Sequence, residues 1–256
     1  MGALWRQAQW RARPADQVEI LTDVDRERAA QLLTMTRDEW ITGALATQLL
    51  QAYRIDGPQE AVATSPEEAV QWAEQIGYPV VLKIASPDIP HKSDIGGVAL
   101  DLNDAATVRA AFEEIMTRVR AAKPNARVDG ITIQQMLRTG QEVIIGAVRD
   151  EQFGPLIMFG AGGVEVEGQR DVAFGLAPLS RIEAEKLIDA TFAGRRLRGF
   201  RGSAPADREA VIDRVLRLAQ FISDFPQVAE IEINPLRVLR DGAVALDARM
   251  RVTGNA

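Results

Sequence analysis

A loop between two apolar runs, residues 83–97, constrains the fold of this chain more than any other stretch. The run at 78–82 (Tyr-Pro-Val-Val-Leu) predicts a buried strand, and the run at 98–102 predicts a second strand. The loop contains two prolines, paired glycines at Gly96 and Gly97, and the only histidine of the sequence. Because loops held between strands can present side chains to a ligand, this segment is the first candidate for a functional site.

The histidine, His91, has two interpretations. A lone histidine is commonly a surface or capping residue. Here, however, Lys83 and Lys92 add positive charge, Ser93 adds a hydroxyl, and the two glycines let the backbone approach a ligand closely. A neutral imidazole is also a competent nucleophile towards a phosphoryl group. The loop therefore predicts a phosphate site, with an ordinary surface histidine as the alternative.

A second candidate site lies at 230–235, which reads Glu-Ile-Glu-Ile-Asn-Pro. Side chains alternate along a strand, so Glu232 and Asn234 share a face. A two-residue turn at Asp241-Gly242 would place Arg249 opposite Asn234, and Asp247 diagonally across from it on the same face. Three oxygen-bearing side chains suit Mg²⁺ bound together with phosphates. The alternative is an exposed polar face of a hairpin.

The order of elements indicates the fold class. Ser65 and either Asn103 or Asp104 predict helix starts, and helical periodicity extends over 40–53. Helices and strands alternate early, whereas antiparallel strands dominate later. This order predicts a two-lobed α+β domain with a ligand in the cleft between the lobes.

The motifs at 77–84 (Gly-Tyr-Pro-Val-Val-Leu-Lys-Ile) and 91–97 (His-Lys-Ser-Asp-Ile-Gly-Gly) resemble the nucleotide-binding part of ADP-forming (NDP-forming) acyl-CoA synthetases. That part is an ATP-grasp domain related to the β subunit of succinyl-CoA synthetase. The resemblance covers about residues 40–252. It implies an ATP-grasp domain over 37–252, with lobe one at about 57–136 and lobe two at about 137–252.

Residues 1–36 are expected to form an N-terminal helical or linker segment. In longer relatives such a segment ends the CoA-ligase part, and a poorly ordered arm is the alternative.

The resemblance also implies roles for individual residues. His91 would carry the phosphoryl group, and Mg²⁺ and ATP or ADP would be the cofactors. The implied nucleotide-binding residues are Lys83, Lys92 and Ser93 at the phosphates, Gln134 and Leu137 at the base, and Glu142 at the ribose. Many ATP-grasp enzymes have a carboxylate where Gln134 stands. The implied magnesium ligands are Asn234 and Asp247, with Glu232 on the same face of the strand.

The implied function is one part of a larger reaction. With a CoA-ligase (α) subunit or domain, acyl-CoA, ADP and phosphate would give acid, CoA and ATP. This chain would then belong to a hetero-oligomer or to a longer polypeptide. One alternative is a nucleotide- or acyl-CoA-sensing regulatory domain of a protein-lysine acetyltransferase, which would bind without turnover. A second is an ATP-grasp ligase that forms carboxylate–amine bonds, which predicts no phosphohistidine.

Composition excludes several other classes. The net charge of −6 provides no general basic field for nucleic acid. No apolar run approaches the roughly 20 residues that span a bilayer, and no apolar signal core is seen near the N-terminus. The absence of cysteine excludes disulfides, thiolate zinc sites and a cysteine nucleophile. We expect a cytoplasmic protein that binds neither nucleic acid nor membrane.

Overall fold

The computed structural model describes residues 18–35, 40–89, 92–163, 171–200 and 204–253. In chain order, its elements are α1 (Arg26–Met35), β1 (Trp40–Thr42), α2 (Gly43–Ala52), β2 (Glu60–Ala63), α3 (Pro66–Ile76), β3 (Val80–Ala85), a 3-10 helix (Ser93–Ile95), β4 (Val98–Leu102), α4 (Ala105–Ala122), β5 (Gly130–Gln135), β6 (Gln141–Asp150), β7 (Gly154–Ala161), β8 (Val172–Leu176), α5 (Arg181–Asp189), α6 (Phe192–Arg196), α7 (Arg208–Asp224), β9 (Val228–Val238), β10 (Ala243–Ala245) and β11 (Ala248–Val252).

The strands form two sheets, each with its own hydrophobic core. The smaller sheet has the order β2-β5-β3-β4, and α3 and α4 contribute to its core. The larger sheet has the order β1-β11-β9-β6-β7-β8, with β10 also paired to β9. Every described strand pair is antiparallel. The prediction of a two-lobed α+β architecture is therefore confirmed.

The helices of the smaller lobe begin where the sequence places their caps. The Ser65 hydroxyl accepts a hydrogen bond from the Glu68 amide at 3.2 Å, and α3 ends at Gly77, whose φ is 91°. For α4 the cap is Asp104 rather than Asn103, because its carboxylate accepts from the Thr107 amide at 2.8 Å. These local bonds fix the helix starts independently of tertiary packing.

The core of the larger lobe begins earlier in the chain than the predicted domain does. Ala29 and Leu33 of α1 are 0% and 7% exposed and belong to the same core as α2, α7 and the strands of the larger sheet. Arg217 of α7 also binds Asp23 through two hydrogen bonds, at 2.9 and 3.1 Å. The domain boundaries stay a prediction, but the segment before residue 37 contains a helix that is part of this core.

The stretch 40–53 is a strand followed by a helix, rather than one helix. Trp40 pairs with Arg251 and Thr42 with Arg249, so β1 forms the edge of the larger sheet. The helix α2 begins only at Gly43. Pairing with a strand some two hundred residues away overrides local helical periodicity, as tertiary context often does.

The register of the β9–β10 hairpin differs from the prediction by two residues. Ala243 pairs with Val238, and the Leu239 amide donates to the Gly242 carbonyl at 2.9 Å, which centres the turn on Arg240-Asp241. Asp247 consequently lies opposite Asn234 rather than diagonal to it. Because side chains alternate with a period of two, this shift leaves the predicted set on the same face.

A bulge in β9 adjoins the predicted metal site. Val143 and Ile145 of β6 pair with Leu236 and Ile233, so β9 has one residue more than β6 across this interval. The additional residue falls at Asn234-Pro235. Bulges redirect side chains and are common beside functional sites.

Within the described residues, no helix combines the length and the apolar composition needed to cross a bilayer.

Candidate active site

The candidate site lies where β3 and its following loop meet the β9–β11 region. Gly97 folds the loop back against β3: its amide donates to the Lys92 carbonyl, and its own carbonyl accepts from the Ile84 amide, both at 2.8 Å. A Cβ atom at Gly97 would lie 2.7 Å from the Ile84 side chain and 2.8 Å from the Lys92 carbonyl oxygen. The glycine thus allows an approach that any other residue would obstruct, and it fixes the backbone of Lys92.

Lys92 joins the two lobes through an ion pair with Asp247. Its Nζ lies 2.9 Å from each carboxylate oxygen of Asp247, and the lysine side chain is only 8% exposed. Burial raises the pKa of Asp247, but the charges of Lys92 and then Lys83 outweigh it and hold that pKa below its usual value. The carboxylate is therefore ionised at neutral pH and already holds a cation.

Lys83 projects from β3 into the same region. Its ammonium donates to the Gln134 Oε1 at 2.7 Å and to the Leu246 carbonyl at 2.8 Å. Burial lowers the pKa of Lys83, the neighbouring Lys92 lowers it further, and Asp247 and Glu60 oppose this shift. Within the part of the chain that the structure describes, both atoms that bind the ammonium are neutral oxygens, and no carboxylate there cancels its charge by direct contact.

The amide of Gln134 is fully engaged by protein groups. Its Nε2 donates to the Glu60 Oε2 at 2.9 Å and to the Leu246 carbonyl at 3.1 Å, while its Oε1 accepts from Lys83. Gln134 is also only 4% exposed. In this structure it supports Lys83, and its predicted contact with the nucleotide base stays a prediction.

The three predicted metal ligands share one face but have different partners. The Asn234 Oδ1 accepts from the Gly163 amide at 3.0 Å, and its Nδ2 is 3.4 Å from the Glu232 Oε1. Glu232 accepts from the Nε and Nη2 of Arg249 at 3.1 and 2.6 Å. Glu232 therefore pairs with the Arg249 guanidinium through Oε2 and accepts a long hydrogen bond from Asn234 through Oε1.

Asn234 and Asp247 offer a small number of oxygen ligands, which suits a magnesium ion that is shared with substrate phosphates. Mg²⁺ typically takes one or two protein oxygens and completes its shell with water and substrate phosphates. Asp247 holds the Lys92 ammonium with both oxygens, which shows that this position accommodates positive charge. Among the residues that the structure describes, no group of three or more acidic or histidine side chains forms a ready-made metal cluster.

Most of the predicted site residues line two adjoining cavities. The first is lined by Lys83, Lys92, Gln134 and Asp247. The second is lined by Lys92, Ser93, Asp247, Asn234 and Glu232. Lys92 and Asp247, which form the ion pair, line both cavities.

Leu137 and Glu142 line neither of these cavities. Arg237 joins them, since its guanidinium donates to the Leu137 carbonyl at 2.9 Å and also to the Glu142 carboxylate. Glu142 faces a different depression, near Gly140 and Arg196. Their predicted roles at the base and ribose stay predictions, as does that of His91, which lies outside the described residues together with Pro90.

Sequence reasoning assigned no role at the site to three residues that organise it: Glu60, Arg237 and Arg249. Glu60 pairs directly across from Gln134, and Arg249 directly across from Glu232. Strand pairing is the signal that would have found these two. The site therefore depends on registers that join distant parts of the chain.

Comparison with known proteins identifies the family. A family model described as an ATP-grasp domain matches residues 31–252. The β subunit of acetate–CoA ligase [ADP-forming] I from Pyrococcus furiosus is 43% identical over 205 residues, which cover 80% of this chain and 88% of that subunit. Acetate–CoA ligase [ADP-forming] I from Archaeoglobus fulgidus is 42% identical over 234 residues, 91% of this chain but only 34% of that protein.

The fold agrees with solved structures. Dinucleotide-forming acetyl-coenzyme A synthetase 1 of Ca. Korarchaeum cryptofilum superposes with a TM-score of 0.84 at 40% identity, covering 90% of this chain and 100% of the matched one. A second structure of the same synthetase gives a TM-score of 0.75 at 36% identity, with the same coverage. The predicted ATP-grasp fold is thus confirmed. The chain belongs to the ATP-grasp family, and its close homologues are the β subunits of ADP-forming acetate–CoA ligases.

Proposed function

We propose that this chain is the ATP-grasp component of an ADP-forming acyl-CoA synthetase, and that it transfers a phosphoryl group between a phosphohistidine and Mg·ADP. Together with a CoA-ligase partner it would convert acyl-CoA, ADP and phosphate into acid, CoA and ATP. The observation that carries the proposal is the meeting of Lys83, Lys92 and Asp247 between the two lobes.

The relatives support this interpretation. The Pyrococcus furiosus homologue is named as a separate β subunit, whereas the Archaeoglobus fulgidus homologue is a longer ligase of which this chain spans 34%. One Korarchaeum structure contains coenzyme A and Mg-AMPPCP, with its phosphohistidine segment pointing towards the nucleotide-binding site. We propose a CoA-ligase partner for this chain, either as a subunit or on the same polypeptide. The need for ATP favours a cytoplasmic location.

The residues of the site suit phosphoryl transfer. Such transfer depends on positioning and on cations at the phosphate oxygens rather than on covalent help from the protein. Lys83 keeps an uncancelled charge for the nucleotide phosphates. Lys92 is bound to Asp247 in this structure, and it can turn to phosphate once Asp247 binds another cation. Magnesium, held by Asn234 and Asp247, would supply further neutralisation of phosphate charge.

His91 is the proposed carrier on the loop between β3 and the 3-10 helix. In the direction of ATP formation, the N–P bond of phosphorylated His91 breaks and an O–P bond to the terminal phosphate of ADP forms. With its other ring nitrogen protonated, the imidazole takes the electron pair of the broken N–P bond and leaves as a neutral group. Lys92 and Ser93 follow His91 directly, so their side chains are close in sequence to the group being moved.

The test is transfer of label from γ-labelled ATP in the presence of Mg²⁺. The wild type and His91→Ala are each assayed alone and with the CoA-ligase partner, and Lys123→Ala, an exposed substitution on the smaller lobe, serves as the control. We expect acid-labile, alkali-stable label in the wild type and the control but not in His91→Ala. Binding of ATP without any label, even with the partner present, would contradict the proposal and favour the sensing domain.

A further inference from the structure

We infer that Glu60 is a positioning residue for Lys83 and that it acts through the amide of Gln134. The inference rests on the proposed function, because it assigns Lys83 to the nucleotide phosphates. Glu60 belongs to none of the motifs that identified the site. It lies on the edge strand β2, 74 positions before Gln134 in the chain.

The three side chains share one face of three neighbouring strands. Glu60 of β2 pairs directly with Gln134 of β5. Lys83 of β3 pairs with Thr132 of β5, so Gln134 is its diagonal neighbour on the same face. The register of the smaller sheet therefore places Glu60, Gln134 and Lys83 in a row.

The polarity of the hydrogen bonds sets the orientation of the amide. An ionised carboxylate can only accept, so Glu60 requires the Nε2 end of Gln134 to face it. The Leu246 carbonyl, another pure acceptor, receives a second bond from the same Nε2 at 3.1 Å. The Oε1 end must then point to Lys83, where it accepts at 2.7 Å.

Glu60 is itself held from the other side. The Thr47 hydroxyl of α2 donates to the Glu60 Oε1 at 2.8 Å, while the Oε2 accepts from Gln134. Both carboxylate oxygens are thus committed. The chain Thr47–Glu60–Gln134–Lys83 links a helix packed in the larger core to a lysine of the smaller sheet.

This arrangement has a chemical consequence for Lys83. A carboxylate in direct contact would fix the ammonium but would also neutralise it. Here the Gln134 amide contacts the Lys83 ammonium, and the negative charge of Glu60 lies one side chain further away. Lys83 is therefore held in place while its charge remains available to a phosphate.

The test first replaces the Glu60 carboxylate with an amide, and then exchanges the carboxylate of Glu60 with the amide of Gln134. In Glu60→Gln the new amide presents no fixed acceptor to Gln134, so the Gln134 amide can turn its Nε2 towards the ammonium. We expect ATP to bind about tenfold more weakly by calorimetry, a change of roughly 1.4 kcal/mol. The double variant Glu60→Gln/Gln134→Glu keeps the total charge but puts a carboxylate in direct contact with Lys83, which holds the ammonium and neutralises it. We expect its ATP affinity to stay at least about tenfold below that of the wild type.

The control and a second readout keep the result interpretable. Glu113→Gln, on the exposed surface of α4, should bind ATP like the wild type. The sequence has only Lys83, Lys92, Lys123 and Lys186 as lysines, so carbon-13 NMR of the lysine ε-methylenes resolves Lys83, which Lys83→Arg assigns. We expect the Lys83 signal to move in Glu60→Gln but not in Glu113→Gln, and to move again in the double variant.

The ATP-binding and NMR results distinguish a failure of this inference from a failure of the proposed function. If the wild type binds ATP and Glu60→Gln binds it equally well, or if the double variant binds ATP as tightly as the wild type, the inference is overturned. Failure of the wild type to bind ATP would instead count against the proposed function. The Lys83 signal would then still decide the inference, because an unmoved signal in Glu60→Gln overturns it without any nucleotide.

Discussion

At the scale of single residues, the two lysines of the site differ in the groups that bind their ammonium. Lys83 binds two neutral oxygens, whereas Lys92 binds both oxygens of Asp247. Burial is the first reason that the pKa of Lys83 is lowered. A group kept charged and incompletely paired usually serves binding or catalysis at some cost in stability.

We predict that Lys83→Met abolishes ATP binding without lowering the melting temperature at neutral pH. The native pKa of Lys83 is lower than that of the unfolded chain, so the unfolded state binds more protons between the two values. Wild-type stability therefore rises with pH across that window, up to about pH 10.5. The methionine of the variant does not titrate, so any stability advantage of the variant should shrink as the pH rises.

Thermal unfolding at about pH 7 and about pH 9.5, together with calorimetric titration of ATP, measures both effects. Lys123→Met is the matched control and should change neither quantity. A fall in the melting temperature of more than about 5 °C at neutral pH would show that the hydrogen bonds of Lys83 outweigh the cost of its burial.

At the scale of elements, local signals and long-range pairings contributed differently. The caps at Ser65 and Asp104 could be predicted because each depends on residues within one helical turn. The strand after Gly77 could be predicted because its sequence is a continuous apolar run. The β1 strand could not, since its partner lies at the other end of the chain.

The candidate site shows the same division. Asn234 and Asp247 were predicted on one face despite a register error of two residues, because an even shift preserves the face. The Lys92–Asp247 pair and the Glu60–Gln134 contact join residues 155 and 74 positions apart. No local pattern specifies such contacts, so the residues could be predicted but their partners could not.

We predict that Gly97→Ala impairs both folding and ATP binding. The added methyl would meet the Ile84 side chain at 2.7 Å and the Lys92 carbonyl at 2.8 Å, so the loop after β3 must move. Such overpacking costs about 1–3 kcal/mol of unfolding free energy. Since Lys92 moves with the loop, ATP affinity should fall about tenfold, or roughly 1.4 kcal/mol.

Gly154→Ala separates the steric effect from a general cost of replacing glycine. Gly154 has a φ of +80° and open space around its Cβ position, so alanine there costs about 1–2 kcal/mol through backbone strain alone. Urea unfolding should show both variants destabilised, and only Gly97→Ala should lose ATP affinity. Wild-type stability and binding in Gly97→Ala would show that the loop adjusts without moving Lys92.

At the scale of the whole molecule, the larger lobe includes more of the chain than its motifs indicate. The resemblance begins at about residue 40, and the family model begins at residue 31. The larger core nevertheless contains Ala29 and Leu33 of α1. Arg217 of α7, itself 8% exposed, also depends on Asp23 for two of its hydrogen bonds. A folding unit defined by physical packing therefore starts before the segment that carries the site.

We predict that a chain of residues 37–256 is strongly destabilised relative to one of residues 18–256. Removal of α1 empties the position of Leu33 in the core, and loss of a buried leucine side chain costs about 2–5 kcal/mol. The shorter chain also lacks Asp23, so that Asp213 is the remaining carboxylate on the buried Arg217 guanidinium among the described residues. Urea unfolding of the two truncations measures the difference, and Asp23→Asn in the full chain isolates the contribution of the ion pair. Equal midpoints for both truncations would mean that α1 adds nothing to the stability of the fold, and that a boundary at residue 36 describes the folding unit.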